Sequence, residues 1–196
     1  MKLLALRCPQ CDTWLQPGLH DVVLLCPTCA TAVALHDQGV QAAPLTYGIP
    51  TTTKFAWYPF WLFQGQVAIR SRQTQGGSRA DADAAQQFWR EPRRLYVPAW
   101  ELTVHDAREL GARLAQQQPL YQVGDKPEQP AMQPATVDPA DARKLLEFII
   151  LTIEAQRNDW LRDLQFDVQT AAPQLWALPA QQTNKGWQVG AVVGNR

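Results

Sequence analysis

The sequence lacks most of the groups that enzymes use for chemistry. It contains only two serines, Ser71 and Ser78, and neither has the flanking strand and helix of a hydrolase nucleophile. The Gly76-Gly77 pair has no lysine at the spacing of a phosphate-binding loop. Glu101 with His105 could meet on one helix face, and Asp81 with Asp83 could bind a cation, but both pairs are interpreted as solvated or salt-bridged surface residues. The sequence therefore predicts a protein that is not an enzyme.

The sequence also lacks net charge and long hydrophobic runs. Lys plus Arg and Asp plus Glu are equal at 18 each, so no global field attracts nucleic acid or an anionic membrane. The longest apolar stretches, 57–63 and 148–151, are much shorter than the roughly 20 residues that cross a bilayer. Arg7 ends the apolar N-terminal stretch early, and no small-residue cleavage site follows it. We therefore expect no transmembrane segment and no signal peptide, and a prokaryotic protein in a reducing cytoplasm.

Cysteine is scarce, but all four cysteines lie within the first 29 residues. They form two Cys-Pro-x-Cys pairs, Cys8 with Cys11 and Cys26 with Cys29, separated by 14 residues. A two-residue gap allows both sulfurs of a tight turn to face one point, and two such turns complete the tetrahedron that zinc prefers. Proline after the first cysteine of each pair fixes the backbone for the turn. The spacing therefore predicts one metal site with four cysteine ligands.

This stretch resembles zinc ribbons with rubredoxin-type knuckles. The resemblance implies one structural Zn²⁺ ion, although iron fits the same tetrahedral set of sulfurs. A redox dithiol is less favoured because it needs only one pair, placed after a strand and at the start of a helix. A catalytic zinc is disfavoured because four thiolates leave no open position for water or substrate. His20 and His36 lie near the cysteines in sequence, but a complete cysteine set leaves them no place as ligands.

The composition divides the chain into three parts. Residues 1–36 form the ribbon, in which apolar strands at 3–7 and 22–25 lead into the two cysteine turns. Residues 37–54 show no sustained helical or strand period and are interpreted as a linker. Residues 55–196 form an α+β domain, because strands cluster instead of alternating strictly with helices. We therefore predict an N-terminal zinc ribbon with four cysteine ligands, followed by an antiparallel β-sheet domain with one long buried helix.

The long helix is the clearest element of the second domain. Asp138 followed by Pro139 is a typical helix start, and the apolar residues after it cover most of the helix circumference. The charged residues at its end, Glu154, Arg157 and Asp159, are interpreted as a local ion-pair network. The other predicted elements are a helix at 105–118, a short helical turn at 86–94, strands at 55–70, 95–100, 160–168, 173–180 and 187–193, a polar loop at 73–80, and an exposed connection at 122–137.

Three apolar strands with a proline, centred on Pro59, Pro98 and Pro179, resemble one another. Their likeness favours one sheet that contains all three. Proline cannot donate a hydrogen bond to a sheet ladder, so each is expected at an edge, a strand start or a bulge.

Eight tryptophans favour a role in binding. Trp, Tyr and Arg are the side chains most able to anchor a protein interface. We therefore predict a non-catalytic zinc-ribbon protein that acts as a protein-protein interaction adaptor or complex subunit, with a partner that the sequence does not name. The alternative is a nucleic-acid-binding protein that uses the Arg and aromatic side chains of segment 70–100, with nucleic acid the less favoured partner. The side chains of that alternative are Arg70, Arg72, Arg79, Arg90, Arg93, Arg94, Phe88, Trp89 and Tyr96.

Overall fold

The computed structural model describes residues 6–52, 54–128 and 130–194. Within these ranges the fold is α+β, as predicted, with two sheets whose strands are mostly antiparallel and with three helices. None of these helices has the length and apolar character needed to span a membrane. Most of the strand predicted at 3–7 lies outside the described residues.

The N-terminal sheet has three antiparallel strands: β1 (Val23–Leu25), β2 (Ala32–His36) and β3 (Gly39–Ala42). β2 is the central strand, and it turns tightly into β3 so that His36 pairs with Gly39. Gly39 has a φ of 146°, a conformation that glycine adopts readily because it lacks a Cβ. The first and second strands thus extend from the second cysteine turn, which lies between them.

The segment predicted as a linker, 37–54, contains two strands. β3 belongs to the N-terminal sheet, whereas β4 (Leu45–Gly48) belongs to the main sheet. β4 pairs in parallel with β9 (Gln174–Thr183) and antiparallel with β7 (Val123–Gly124). Four residues are too few to show a recognisable alternation, so the pairing is decided by distant partners that the local sequence does not reveal. This segment therefore connects the two sheets through strand pairing.

The main sheet is built around one long strand, β5 (Ala56–Gln75). β6 (Arg93–Pro98) pairs along one edge of its first half, and β9 pairs along the other edge. β8 (Trp160–Thr170) pairs with its second half. Gly65 lies where β6, β5 and β8 meet. A Cβ at this position would overlap the carbonyl oxygen of Gln169 in β8, so the close approach of the two strands requires glycine. The glycine therefore lets β5 continue as a single strand.

The three proline-containing strands are neighbours in this sheet, in the order β6, β5, β9. Pro98 is the last residue of β6, and Pro59 lies one residue beyond the end of the β5–β6 ladder. Pro179 lies one residue beyond the ladder between β9 and β10 (Gly186–Val189). Pro98 lies on the edge strand β6, as predicted. Pro59 and Pro179 were predicted at an edge, a strand start or a bulge, but both lie inside the β5–β9 ladder, opposite Ala177 and Trp57.

The three helices cover this sheet. They are α1 (Arg79–Arg90), α2 (Val104–Gln117) and α3 (Pro139–Ala155). α2 and α3 lie close to their predicted positions. α1 is longer than the predicted helical turn and begins inside the predicted polar loop, because Ser78 and Asp81 form a reciprocal capping box. The spacing of Ser78 and Asp81 was the sequence signal for this start.

α3 is the longest helix and packs into the main core. Its start is capped by Asp138, whose side chain accepts a hydrogen bond from the N–H of Asp141. Leu146, Ile149 and Ile150 are among its fully buried side chains, but Phe148 and Leu151 remain partly exposed. The helix is therefore buried on one broad side, where the sequence predicted burial on more than one side.

The predicted exposed connection, 122–137, is docked against the protein over its last part. Ala135 is fully buried, and its N–H donates to the carbonyl of Val23 at 2.8 Å. The indole N–H of Trp61 donates to the carbonyl of Val137 at 2.8 Å. These bonds tie β1 of the N-terminal sheet to β5 of the main sheet through one short stretch of chain. The three prolines of the segment gave no sign of this docking, because the hydrogen bonds that dock it are long-range.

Candidate metal centre

Two cysteine turns with the same local structure hold the site. Both have the sequence Cys-Pro-x-Cys-x-Thr, at 8–13 and at 26–31. In each turn the N–H of the first cysteine donates to the carbonyl of the threonine, at 2.8 Å from Cys8 and 2.9 Å from Cys26. The chain therefore makes the same hairpin-like turn twice, 18 residues apart in sequence. We call these turns the first and second knuckle.

The residue after the second cysteine closes each knuckle. Asp12 and Ala30 have positive φ angles of 59° and 53°, which reverse the chain direction at this point. Their N–H groups donate to the carbonyls of Cys8 and Cys26 at 2.9 and 2.8 Å. These bonds close each turn, so both of its sulfurs lie on one side of the backbone.

The four sulfurs converge on a single point. All four Sγ atoms lie within 4.8 Å of one another. The closest pairs join the two knuckles: Cys8 to Cys29 at 3.6 Å, and Cys11 to Cys26 at 3.5 Å. These separations are much longer than a disulfide bond, which is about 2.05 Å, and all four cysteines are free. The arrangement is consistent with zinc-ribbon-like knuckles.

The spacing of the sulfurs fits a tetrahedral metal ion. Zinc bound by four thiolates at about 2.3 Å places the sulfurs about 3.8 Å apart. The two separations between the knuckles, 3.5 and 3.6 Å, are slightly shorter than that value, and no two sulfurs are more than 4.8 Å apart, so little movement is needed to complete the tetrahedron. The cluster can hold one metal ion, and four sulfur ligands would fill a tetrahedral shell.

Two threonine hydroxyls support the cysteines that are not buried. The Cys11 sulfur lies 3.3 Å from the Thr13 hydroxyl, and the Cys29 sulfur lies 3.2 Å from the Thr31 hydroxyl. The Thr13 hydroxyl and N–H lower the pKa of Cys11, and those of Thr31 lower the pKa of Cys29 to about 6. Both threonines thus favour the thiolate form that a metal ligand requires.

The pKa of Cys8, one of the two buried cysteines, is shifted in the opposite direction. Burial raises the pKa of Cys8 to about 11, because the thiolate loses solvation there. Cys8 lies nearest to Cys29, so a sulfur that resists ionisation is paired with one that favours it. A divalent cation at the centre would stabilise all four thiolates together. Metal binding at this site is therefore expected to release protons, and the Cys8 thiol is one source of them.

A lysine that follows β7 of the main sheet adds a positive charge beside the second knuckle. Lys126 Nζ donates to the carbonyl of Cys29 at 2.8 Å. Four thiolates around a divalent ion carry a net charge of two negative units. A lysine bonded to the backbone of one ligand is therefore attracted to the charged centre. The sequence analysis identified neither this lysine nor the threonines, although the repeated Cys-x-Thr step was visible in the sequence.

Loss of the Thr31 hydroxyl should weaken metal binding without removing a ligand. We expect Thr31→Val to lower the affinity for Zn²⁺ by about 10-fold, because a hydrogen bond to a ligand tunes its basicity. Competition with a chromophoric chelator measures the change. Thr152→Val is the matched control, because the Thr152 hydroxyl donates to the carbonyl of Phe148 within α3 and contacts no group of the metal centre. Equal affinities of both variants and the unmodified chain would contradict a supporting role for Thr31.

The other candidate residues lie apart from the cysteines. His20 and His36 are both exposed, and neither belongs to the group of close metal-ligating side chains. Glu101 and His105 are exposed on the surface. Asp81 caps α1 and is thus structural. Each of these positions agrees with the surface or structural interpretation made from the sequence.

The side chains of the nucleic-acid alternative are largely engaged within the protein. Trp89 and Tyr96 are buried, so their faces are not free to stack on bases. Arg72 is buried in ion pairs with Glu154 and Asp159. The remaining engaged arginines are Arg70, paired with Asp167, Arg93, stacked on Phe88, and Arg94, bonded to the carbonyls of Gln118 and Pro119.

No family model, no curated protein and no solved structure matches the chain. The chemistry of the centre is therefore inferred from its geometry, which identifies a tetra-cysteine cluster able to hold a metal ion.

Proposed function

We propose that this chain is a non-catalytic zinc-ribbon protein that acts as a protein-protein interaction adaptor or complex subunit in a reducing cytoplasm. Its single Zn²⁺ ion is structural and is bound by Cys8, Cys11, Cys26 and Cys29. The observation that carries this proposal is the convergence of all four sulfurs within 4.8 Å. Four thiolates complete the tetrahedral shell, so no position remains for a substrate or an activated water.

We propose zinc and not iron, because a structural site needs only an ion that accepts four sulfur ligands in a tetrahedron. Zinc does so and has no redox chemistry. The role of the ion is to hold the two knuckles together, because they bury few apolar side chains of their own. The ribbon's own buried cluster is small and consists of Cys8, Leu15, Leu24, Cys26 and Val33. A core of this size does not stabilise a fold unaided, so bound metal supplies the missing free energy.

A role in binding proteins is supported by apolar side chains that remain at the surface. Trp14 in the ribbon is 58% exposed and lies against the guanidinium of Arg7 at 4.1 Å. Trp160 at the start of β8 is 74% exposed. Trp and Arg are enriched among the residues that dominate binding energies in interfaces. The engaged side chains of segment 70–100 make nucleic acid the weaker alternative.

The proposal predicts a partner protein whose binding does not depend on nucleic acid. The zinc-loaded full chain is immobilised, cell extract is applied, and retained proteins are compared with and without nuclease. We expect a stoichiometric protein partner that survives nuclease and whose retention changes little between about 50 and 200 mM salt. Trp14→Ala and Trp160→Ala should lower retention if their side chains anchor the interface, whereas Glu147→Gln on the exposed side of α3 serves as a control.

Two outcomes would contradict this proposal. Loss of all partners after nuclease, together with steep salt dependence of binding to short oligonucleotides, would favour the nucleic-acid alternative. Metal analysis that finds iron, or no metal, in protein purified under reducing conditions would remove the zinc assignment. The first outcome concerns the partner and the second concerns the ion, so the two parts of the proposal are tested separately.

A further inference from the structure

A polar pocket lies on the main body, in a part of the fold that the metal centre does not use. It has a volume of about 390 Å³ and lies between α2 and the hairpin formed by β9 and β10. Its cations are Arg113 and Lys185, and Tyr121 and Trp187 are the aromatic residues in its lining. A volume of this size suits a small molecule, since small-ligand sites begin at roughly 300 Å³.

The charges in this pocket are all of one sign. Gln117, Thr183 and Gln188 provide further polar lining, but no Asp or Glu lines the pocket. Among the described residues, neither Arg113 nor Lys185 forms an ion pair. The two cations therefore lack the carboxylate partners that neutralise Arg70, Arg72, Lys144 and Arg157 elsewhere in the protein.

Arg113 is held in place at the pocket. Its guanidinium donates to the backbone carbonyl of Trp187 on β10, which fixes it between the helix and the hairpin. One guanidinium edge is used in this bond, and the remaining N–H groups have no acceptor among the described residues. A planar guanidinium with free N–H donors is the group that best matches an oxyanion.

A buried tyrosine provides a further donor. Tyr121 is only 5% exposed and lines the pocket, and its hydroxyl has no hydrogen-bond partner in the described part of the chain. Burial, followed by the neighbouring Tyr96, raises the pKa of Tyr121, whereas the positive charge of Arg113 lowers it. The hydroxyl therefore keeps its proton at neutral pH and lies within the electrostatic reach of Arg113. Its oxygen is not one of the fully buried side-chain atoms without a partner, so the hydroxyl is open to water or to a ligand in the pocket.

We propose that this pocket binds the oxyanion group of a small molecule, a phosphate or a carboxylate, held by Arg113, Lys185 and Tyr121. Arg113 and Tyr121 donate hydrogen bonds to the oxygens, and Lys185 adds a point charge from the turn of the hairpin. Trp187 also lines the pocket, and its indole N–H is buried without an acceptor in the described part of the chain. This site is independent of the proposed zinc-ribbon function.

The test is a titration of the zinc-loaded full chain with inorganic phosphate and, separately, with acetate, followed by two-dimensional NMR of the backbone amides. We expect saturable shifts confined to residues around α2 and the β9–β10 turn. Arg113→Gln and Lys185→Gln should each weaken binding by about 10-fold or more, because the first removes hydrogen bonds to a charged group and the second removes a positive charge beside it. Tyr121→Phe should weaken binding by a smaller factor. Arg79→Gln, at an exposed arginine of α1, is the matched control and should bind as the unmodified chain does.

The two titrations distinguish the two sources of the oxyanion. Saturation by phosphate alone identifies a phosphate site, and saturation by acetate alone identifies a carboxylate site. Shifts that never saturate, shifts spread over the surface, or equal binding by Lys185→Gln and the unmodified chain would overturn the proposal. Lys185→Gln keeps this test decisive if Arg113→Gln does not fold, because Lys185 makes no side-chain hydrogen bond in the described structure.

Discussion

Replacing Cys26 by serine is expected to abolish metal binding and to unfold the ribbon. The variant lacks one of the four sulfurs, and the other three cannot form the closed tetrahedron that the knuckles share. Binding of structural zinc contributes about 10–16 kcal/mol of apparent free energy in small zinc domains at neutral pH. A ribbon with a core as small as this one depends on that contribution for its folding. The metal content should fall from one ion per chain to none.

The effect should extend beyond residues 1–36. The N–H of Val22 donates to the carbonyl of Ala135 at 2.7 Å, and the N–H of Ala135 donates to the carbonyl of Val23 at 2.8 Å. Val23 and Ala32 of the ribbon sheet also belong to the main hydrophobic core. We therefore expect the docked stretch before α3 to lose protection with the ribbon, while α3 and β5 keep theirs.

Hydrogen exchange with mass spectrometry, combined with elemental analysis, measures both effects. His20→Ser is the matched control, since it places the same new side chain near the knuckles without removing a ligand. It should keep full metal occupancy and normal protection. A Cys26→Ser protein that keeps its metal and its ribbon protection would show that the site assignment is wrong. If the ribbon lost its hydrogen-exchange protection but Ala135 kept its own, the docking of segment 122–137 would not be coupled to metal binding.

The elements that the sequence predicted are those with strong local signals. The two knuckles are encoded by adjacent cysteines and prolines, and α3 is encoded by Asp138, Pro139 and a run of apolar residues. The three proline-containing strands lie in one sheet, as their likeness suggested, but Pro59 and Pro179 lie inside its β5–β9 ladder and not at the positions expected of proline. Local sequence is sufficient for the knuckles and α3 because the decisive interactions lie within one turn or one helix.

The elements that the sequence did not predict depend on distant partners. β4 has four residues, and it forms a strand because it lies between β9 and β7. The stretch before α3 is ordered by bonds from Ala135 to β1 and from Trp61 to Val137, and the second of these spans 76 residues of sequence. Such contacts leave no periodic pattern in the segment itself. The division of the chain into a ribbon, a linker and a second domain stays a prediction.

The surroundings of the candidate site were less predictable than its ligands. Thr13 and Thr31 repeat at the same position of both knuckles, and this repeat was the available signal for their role. Lys126 left no signal, because it reaches the second knuckle from a position 97 residues further along the chain. Residues that surround a metal site come from wherever the fold brings a polar group, so ligand spacing does not reveal them.

A buried ion-pair network closes the end of α3, as the sequence predicted, and Arg72 is its central cation. Glu154 is fully buried and accepts hydrogen bonds from Arg72 Nε, Arg157 Nε and the indole N–H of Trp89, each at 2.8 Å. The guanidinium of Arg72 also forms a two-pronged pair with Asp159. Two cations thus balance two carboxylates in a site that excludes water. Removal of one charge leaves the others uncompensated, which is the costly situation in a protein interior.

Glu154→Gln is expected to destabilise the protein by about 3–5 kcal/mol, because it leaves an excess positive charge buried beside Arg72. Urea denaturation followed by circular dichroism measures the change. Glu147→Gln is the matched control, since Glu147 is exposed on the same helix, and it should alter stability by less than about 0.5 kcal/mol. Equal stabilities of the two variants would show that the network does not contribute to folding.

The network should also respond to acid through Asp159. The Arg72 guanidinium, by its hydrogen bonds and charge, holds the pKa of Asp159 below its usual range, although burial opposes this effect. Because this pKa is lower in the folded than in the unfolded state, the stabilisation is complete above about pH 4 and is lost as the pH falls through the folded value. Asp159→Asn should therefore lower stability at pH 7 and show a shallower loss of stability between about pH 4 and pH 2 than the unmodified chain. Parallel unfolding curves of both proteins over that range would mean that Asp159 is not the group that senses acid.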